Sequence, residues 1–260
     1  MQPLKDITRN NPIQINKNSD SSVSINLTLP QSSMEHSIKP SSKIQAYELI
    51  KTIFIYWVGT FICKIAVKIA ETYILPYYHV QSPSIELEEF PRHIQSILGA
   101  FTPYYIILIG PLIEEACFRL GLSFKKRDIF IGGYTLFVVV FINITGKLYS
   151  LNLWKVSVLL VVLLGVIYLY KKTKQEIFTK VRNKYGKGIT YLFIVLFALM
   201  HMSNFSSFEL GQLSYFVCYF SYLFIISYSI TRLRIYNGFW WGYGLHAVNN
   251  AFAVLATSGI

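Results

Sequence analysis

The sequence predicts an all-α membrane protein, a polytopic bundle of about seven transmembrane helices with a cytoplasmic N-terminus. The 260-residue chain is 53% hydrophobic and 14% charged, whereas soluble domains carry about 25% charged residues. Its apolar residues gather in runs near or above the roughly 20 residues that cross a bilayer. Lys and Arg gather in every second connection between these runs, which is typical of the cytoplasmic side. We expect a multi-pass protein of the plasma (inner) membrane.

The chain divides into a tail and a membrane domain. The polar segment 1–45, rich in Ser and Asn, is predicted to be a disordered cytoplasmic tail, and 46–260 to be the membrane domain. Pro103 and Pro111 lie inside the second apolar run and predict a kink there. The seven predicted spans are 47–70, 96–122, 129–146, 153–171, 188–204, 212–231 and 238–258.

The basic connections set the predicted orientation. Lys125–Arg127, the segment 171–187, and Arg232 with Arg234 are predicted to be cytoplasmic connections. This topology signal accounts for the net charge of +11, so no nucleic-acid partner is predicted. Membrane lipid is the expected surrounding, and the sequence leaves the oligomeric state open.

Ionisable residues inside three of the spans mark a candidate site. A charged side chain at the centre of a bilayer is expensive, by about 3 kcal/mol or more, and marks function or a buried partner. At 1.5 Å per residue, Glu114, His201 and His246 lie about 16, 21 and 18 Å from the predicted cytoplasmic ends of their helices. The common depth predicts one site, reached from the cytoplasm or from the membrane plane.

Helical spacing predicts different roles for neighbouring residues. Glu115 and Arg119 are four residues apart and are predicted to form an ion pair. His246 and Asn250 share a helical face in the same way. Glu114 is rotated by about 100° from Glu115, which leaves its carboxylate free to face the site.

These side chains are suited to the activation of water against a carbonyl group. A buried carboxylate can act as a general base. Histidines can share the proton of the water, ligate a metal or donate to an oxyanion, and the amide of Asn250 is a suitable oxyanion donor.

Three motifs occur in chain order, each in a separate apolar run: Glu114-Glu115-x-x-x-Arg119, Phe197-x-x-x-His201 and His246-x-x-x-Asn250. Together they resemble the CPBP family, which comprises type II CAAX prenyl endopeptidases and bacteriocin-processing or abortive-infection relatives. The resemblance covers roughly residues 98–256 and is strong only as the combination of the three motifs. One departure is Leu120, which stands before Gly121 where many relatives carry Gly directly after the Arg.

The resemblance implies an all-helical intramembrane endopeptidase that acts on a prenylated, bacteriocin-like or membrane-associated peptide. It implies that Glu114 activates water with the help of His201. It also implies that His246 and Asn250 stabilise the tetrahedral oxyanion.

The resemblance implies supporting roles for Glu115 and Arg119, and it leaves the use of a metal open. As a metalloprotease the chain could hold Zn²⁺ with Glu114, His201 and His246. As a glutamate protease it needs no metal. The HExxH motif of zincins is absent from the sequence, and we favour the metal-free mechanism.

Two other classes of protein remain open. One is a non-catalytic bacteriocin immunity or regulatory membrane protein that keeps the fold and acts by contact. The other is a small proton-coupled transporter in which Glu114 and the histidines relay protons. The change Glu114→Gln separates the classes, because it keeps the shape of the side chain and removes the base.

Overall fold

The computed structural model describes residues 41–84, 92, 94–145, 152–202, 204–205 and 208–257. Every regular element in this part of the chain is helical. Residues 1–40 of the predicted tail lie outside it. The last residues assigned to that tail already belong to the first helix, because Ser41 is its N-cap and accepts a hydrogen bond from the amide of Ile44.

Seven helical stretches follow one another and correspond in order to the predicted spans. The first, α1, continues beyond Ile69 through a π-helical turn, Ala70–Ile74, to Tyr77. A 3₁₀ turn, Leu210–Gln212, leads into the sixth. Their bounds are α1 Ser42–Ile69, α2 Ile94–Phe118, α3 Lys126–Thr145, α4 Leu153–Lys172, α5 Gln175–Met202, α6 Leu213–Asn237 and α7 Phe239–Thr257.

Five of these stretches are long and apolar enough to cross a membrane, which indicates a membrane protein: α1, α2, α4, α5 and α6. The remaining two, α3 and α7, lie where the third and seventh spans are predicted. The count of seven spans and the cytoplasmic N-terminus stay predictions.

The predicted irregularity of α2 is present and has a local cause. A π-helical segment, Tyr105–Ile109, precedes the regular turns of Gly110–Phe118. In π geometry each carbonyl accepts from the amide five residues ahead, and the amide of Gly110 donates to the carbonyl of Tyr105 in this way. The next acceptor, the carbonyl of Ile106, would need an N–H at Pro111, which proline lacks.

Helix α6 lies at the centre of the bundle and packs against α1, α5 and α7. Gly242 of α7 allows a close approach, because a Cβ atom there would meet the carbonyl oxygen of Ile230 at 3.1 Å. Gly132 of α3 does the same for α2, because a Cβ atom there would lie 2.9 Å from the carbonyl oxygen of Ala116. Two of the helices that carry the candidate site, α2 and α7, are therefore held in close backbone contact with a neighbouring helix.

The structure corrects the reading of Arg232 and Arg234 as residues of a cytoplasmic connection. Both lie within α6, which continues to Asn237, and both are buried. Arg232 donates from Nε to Glu48 Oε2 of α1 at 2.8 Å and from Nη1 to the Tyr228 hydroxyl at 2.7 Å. These arginines form buried ion pairs between helices, and their position on the cytoplasmic side stays a prediction.

Candidate active site

Glu114 lies between the two histidines. Its Oε2 atom is 3.6 Å from Nε2 of His201 and 3.4 Å from Nε2 of His246. The side chain is 26% exposed, yet Oε2 itself is buried and accepts no hydrogen bond from the described residues. An acid of α2 and imidazoles of α5 and α7 thus meet at one carboxylate oxygen.

The hydrogen bonds of the histidines fix which ring nitrogen carries the proton. Nδ1 of His201 lies 2.9 Å from the carbonyl oxygen of Phe197, and a carbonyl only accepts, so Nδ1 must donate. Nδ1 of His246 lies 3.0 Å from Glu115 Oε1 and donates to that carboxylate. In its neutral form each ring turns a lone pair on Nε2 towards Glu114, so that both Nε2 atoms and the carboxylate oxygen are then acceptors.

Such a group of acceptors suits a molecule that donates hydrogen bonds. A water molecule has two protons to give to them, and an uncharged imidazole can take up a proton that the water loses. The convergence of Glu114 Oε2 with both Nε2 atoms is therefore an arrangement that can polarise water.

Glu115 belongs to a separate, fully buried network behind the site. Arg119 Nη1 donates to its Oε1 atom, which confirms the ion pair predicted from the i, i+4 spacing. Arg119 also donates from Nε to the Thr231 hydroxyl and from Nη2 to the Ser227 hydroxyl, each at 3.0 Å. This network ties α2 to α6 and holds the carboxylate that orients His246.

Phe197 is the aromatic centre of this arrangement. Its ring lies 4.4 Å from the His201 ring and 5.6 Å from the His246 ring, between centroids. The guanidinium of Arg119 lies 4.2 Å above the same ring, within the range of a cation–π contact. This packing holds both imidazoles and the arginine around one ring.

Asn250 is close to the site but is engaged with the backbone. Its Nδ2 donates to the carbonyl oxygen of Ile106 at 2.9 Å, the acceptor that Pro111 leaves without a π-helical partner. Its Oδ1 atom accepts from Nδ2 of Asn249 at 3.4 Å. One N–H of Asn250 remains available, because an amide NH₂ has two protons to donate.

The structure brings Glu114, His201 and His246 together, joins Glu115 to His246, and leaves Asn250 bound to the backbone of α2. Three further residues were not predicted to belong to the site. Ser227, Thr231 and Arg234 of α6 surround the buried pair, with Arg234 Nη1 at 3.9 Å from Glu115 Oε2. Their only sequence signal is polarity within a mostly apolar helix, spaced by about one helical turn.

The predicted metal ligands were tested for their fit to a cation. Imidazole nitrogens and a carboxylate oxygen are the right atoms for Zn²⁺, and both histidines have the second hydrogen bond that metal ligands show. In the part of the chain that the structure describes, however, no group of three or more His, Cys, Asp and Glu residues is arranged to hold a metal ion. The preference for a metal-free mechanism stays a prediction, and no step below depends on a metal.

We compared the chain with known proteins. No protein-family model, curated protein or solved structure matches it. The geometry and the chemistry of the site are therefore the basis for a proposed function.

Proposed function

We propose that this chain is an intramembrane endopeptidase of the CPBP type, in which Glu114 activates water against a peptide bond. The observation that carries the proposal is the convergence of Glu114 Oε2 with the Nε2 atoms of His201 and His246. These residues come from three separate helices. The order and spacing of the three sequence motifs support the same family.

In the proposed reaction, Glu114 takes a proton from a water molecule whose oxygen attacks the carbonyl carbon of the peptide bond. Nε2 of His246 takes up a proton from the solvent before the substrate binds and keeps this proton through the reaction. The imidazolium then faces the developing oxyanion, and Glu115 stabilises its charge through Nδ1, as a buried carboxylate does in a hydrolase triad. The C–N bond breaks, and the leaving amine takes the proton from Glu114.

His201 and Asn250 act around this centre. His201 holds the water with its Nε2 lone pair, because its Nδ1 is bound to the backbone. Asn250 can donate its second amide proton to the oxyanion while the first one holds α7 against the π-helical segment of α2. The substrate class stays that of the resemblance: a prenylated, bacteriocin-like or membrane-associated peptide.

The experiment compares the peptides of cells that express the wild-type chain, Glu114→Gln or Glu176→Gln. Glu176 lies exposed in the first turn of α5, so its change matches the loss of charge without touching the site. We expect cleavage products that depend on the wild-type chain, persist with Glu176→Gln and vanish with Glu114→Gln. Products that persist with Glu114→Gln would contradict the proposal.

A non-catalytic immunity or regulatory protein is the second candidate. The buried network of Glu115 and Arg119 is compatible with it, because these contacts stabilise the bundle whether or not Glu114 performs chemistry. Such a protein would protect cells equally well with Glu114→Gln. The same variant therefore separates the two functions.

A further inference from the structure

A cavity that none of Glu114, His201 and His246 lines has a volume of about 540 Å³. Its walls come from the turn after α2, the first residues of α3, the N-terminal half of α5, and the junction between α6 and α7. Among its lining residues are four cations and one acid: Lys125, Arg127, Arg182, Arg234 and Asp128.

The single acid is already engaged. Asp128 accepts from Arg127 Nε through Oδ1 and from the Ser123 hydroxyl through Oδ2, each at 2.9 Å. Lys125 and Arg182 therefore leave two positive charges around the cavity without an acidic partner among the described residues, and Arg234 shares the carboxylate of Glu115 with Arg119. Within the described chain, the side chains of Lys125 and Arg182 make no hydrogen bond or ion pair.

Arg234 lines the cavity from a buried position, and one nitrogen of its guanidinium has no hydrogen-bond partner among the described residues. Its side chain is 7% exposed, and Nη1 donates no hydrogen bond within the described residues. Its nearest recorded carboxylate oxygen, Glu115 Oε2, is 3.9 Å away, beyond hydrogen-bond distance. A buried guanidinium with unmet donors is suited to a phosphate oxygen, which it can bind with two parallel hydrogen bonds.

Two helix beginnings add to this positive field. Lys125 and Arg127 flank the start of α3, and Gly238 with Phe239 forms the start of α7. Helix N-termini carry a partial positive charge and free amide groups, which favour anions. The structure corrects the predicted connection 171–187, because Arg182 and its neighbours belong to α5, which begins at Gln175. Lys125 and Arg182 both lie in segments predicted to be cytoplasmic, where basic cavities between helices meet the head groups of anionic lipids.

We propose that this cavity is a binding site for a phosphate group, separate from the candidate active site. The phosphate can belong to the head group of an anionic lipid or be free in the cytoplasm. The proposal does not depend on peptidase activity, because none of Glu114, His201 and His246 lines the cavity.

The test uses the full chain in detergent and follows its thermal unfolding during titration with three probes. These are phosphatidylglycerol, phosphatidylcholine, and inorganic phosphate against chloride at matched ionic strength. A ligand that binds the folded chain raises the unfolding temperature with concentration. Saturable stabilisation by phosphatidylglycerol alone assigns a lipid head group, and stabilisation by inorganic phosphate assigns a soluble source.

Two charge-matched double variants localise the effect. Lys125→Gln with Arg182→Gln removes two cations of the cavity, whereas Lys180→Gln with Lys184→Gln removes two exposed cations of the same basic segment that do not line it. We expect the first pair to raise the half-saturating concentration by about tenfold or more and the second by less than about threefold.

A conservative double variant controls for the possibility that the Gln substitutions disturb the fold. Lys125→Arg with Arg182→Lys keeps both charges, and we expect saturation to stay within about threefold of the wild type. Equal weakening in both Gln pairs would show a diffuse charge effect and overturn the proposal. The absence of stabilisation by both phosphatidylglycerol and inorganic phosphate would also overturn it.

Discussion

At the scale of single residues, the buried pair of Glu115 and Arg119 supports the site from behind. Both side chains are at most 1% exposed. Removal of one member leaves a buried charge without its partner, which costs about 3–5 kcal/mol. We expect Glu115→Gln to lower the free energy of unfolding in detergent micelles by roughly this amount.

The matched control for this change is the pair of Lys68 and Glu71, because Lys68 is 77% exposed. Exposed ion pairs contribute about 0–1 kcal/mol, so Lys68→Gln should change the stability little. A loss for Glu115→Gln no larger than the loss for Lys68→Gln would show that the buried network does not hold the bundle.

The question of a metal also belongs to the residue scale. A site that uses Glu114 and two imidazoles without a metal keeps its activity when a chelator removes divalent cations. We therefore expect the cleavage rate to change by less than about twofold with a strong zinc chelator, since structural and catalytic Zn²⁺ contribute far more than this. Loss of cleavage with the chelator and its return with added Zn²⁺ would replace the metal-free mechanism.

At the scale of helices, the irregular segment of α2 couples to α7 through one hydrogen bond. Asn250 occupies the carbonyl of Ile106 because Pro111 provides no amide for it. In Pro111→Ala the new backbone amide can donate to the carbonyl of Ile106, so the hydrogen bond from Asn250 is no longer needed to satisfy this carbonyl. We expect Asn250→Ala to destabilise the wild type by about 1–3 kcal/mol and the Pro111→Ala background by less.

A double-mutant cycle in unfolding free energy measures this coupling. Pro103→Ala is the control background, because Pro103 lies before the π-helical segment. Additive effects of Pro111→Ala and Asn250→Ala would contradict the account of α2.

The crossing of α2 and α3 offers a second test at this scale. Gly132 lies against the backbone of Ala116, whereas nothing lies within 4 Å of a Cβ atom built on Gly133. We expect Gly132→Ala to destabilise the bundle by about 1–3 kcal/mol through overpacking, as measured by its unfolding temperature. Gly133→Ala adds the same methyl group in open space, and an equal effect of the two changes would contradict the crossing.

The sequence predicts the local parts of this picture and misses the distant ones. The spacing of Glu115 and Arg119 predicts their ion pair because one helix determines it. The partners of Arg232 and Arg234 are Glu48 and Glu115, on other helices. An arginine that ends an apolar run looks the same in sequence whether it enters water or pairs with a buried carboxylate, so both were misread as loop residues.

The same limit applies to Asn250. Its amide is a suitable oxyanion donor by residue type, and the chemistry of proline alone predicts an irregular helix at Pro111. That this irregularity is a π-helical segment, and that the carbonyl of Ile106 binds α7, depends on the packing of two helices. Only the three-dimensional structure contains that information.

At the scale of the whole molecule, residues far apart in sequence form one centre because α2, α5 and α7 converge on it around α6. Glu114 lies within 3.6 Å of both imidazoles, as the common depth of the three residues predicts. The distances alone do not distinguish a peptidase from a protein that acts by contact. A variant that lacks the carboxylate of Glu114 and keeps the fold distinguishes the two.

The most direct measurement is the rate of peptide-bond cleavage by the purified chain in liposomes, with a substrate peptide identified by the comparison of cells. The account predicts that Glu114→Gln lowers this rate by about a hundredfold or more, while Glu176→Gln keeps it and both variants unfold at the wild-type temperature. A folded Glu114→Gln protein that cleaves at the wild-type rate would contradict the account.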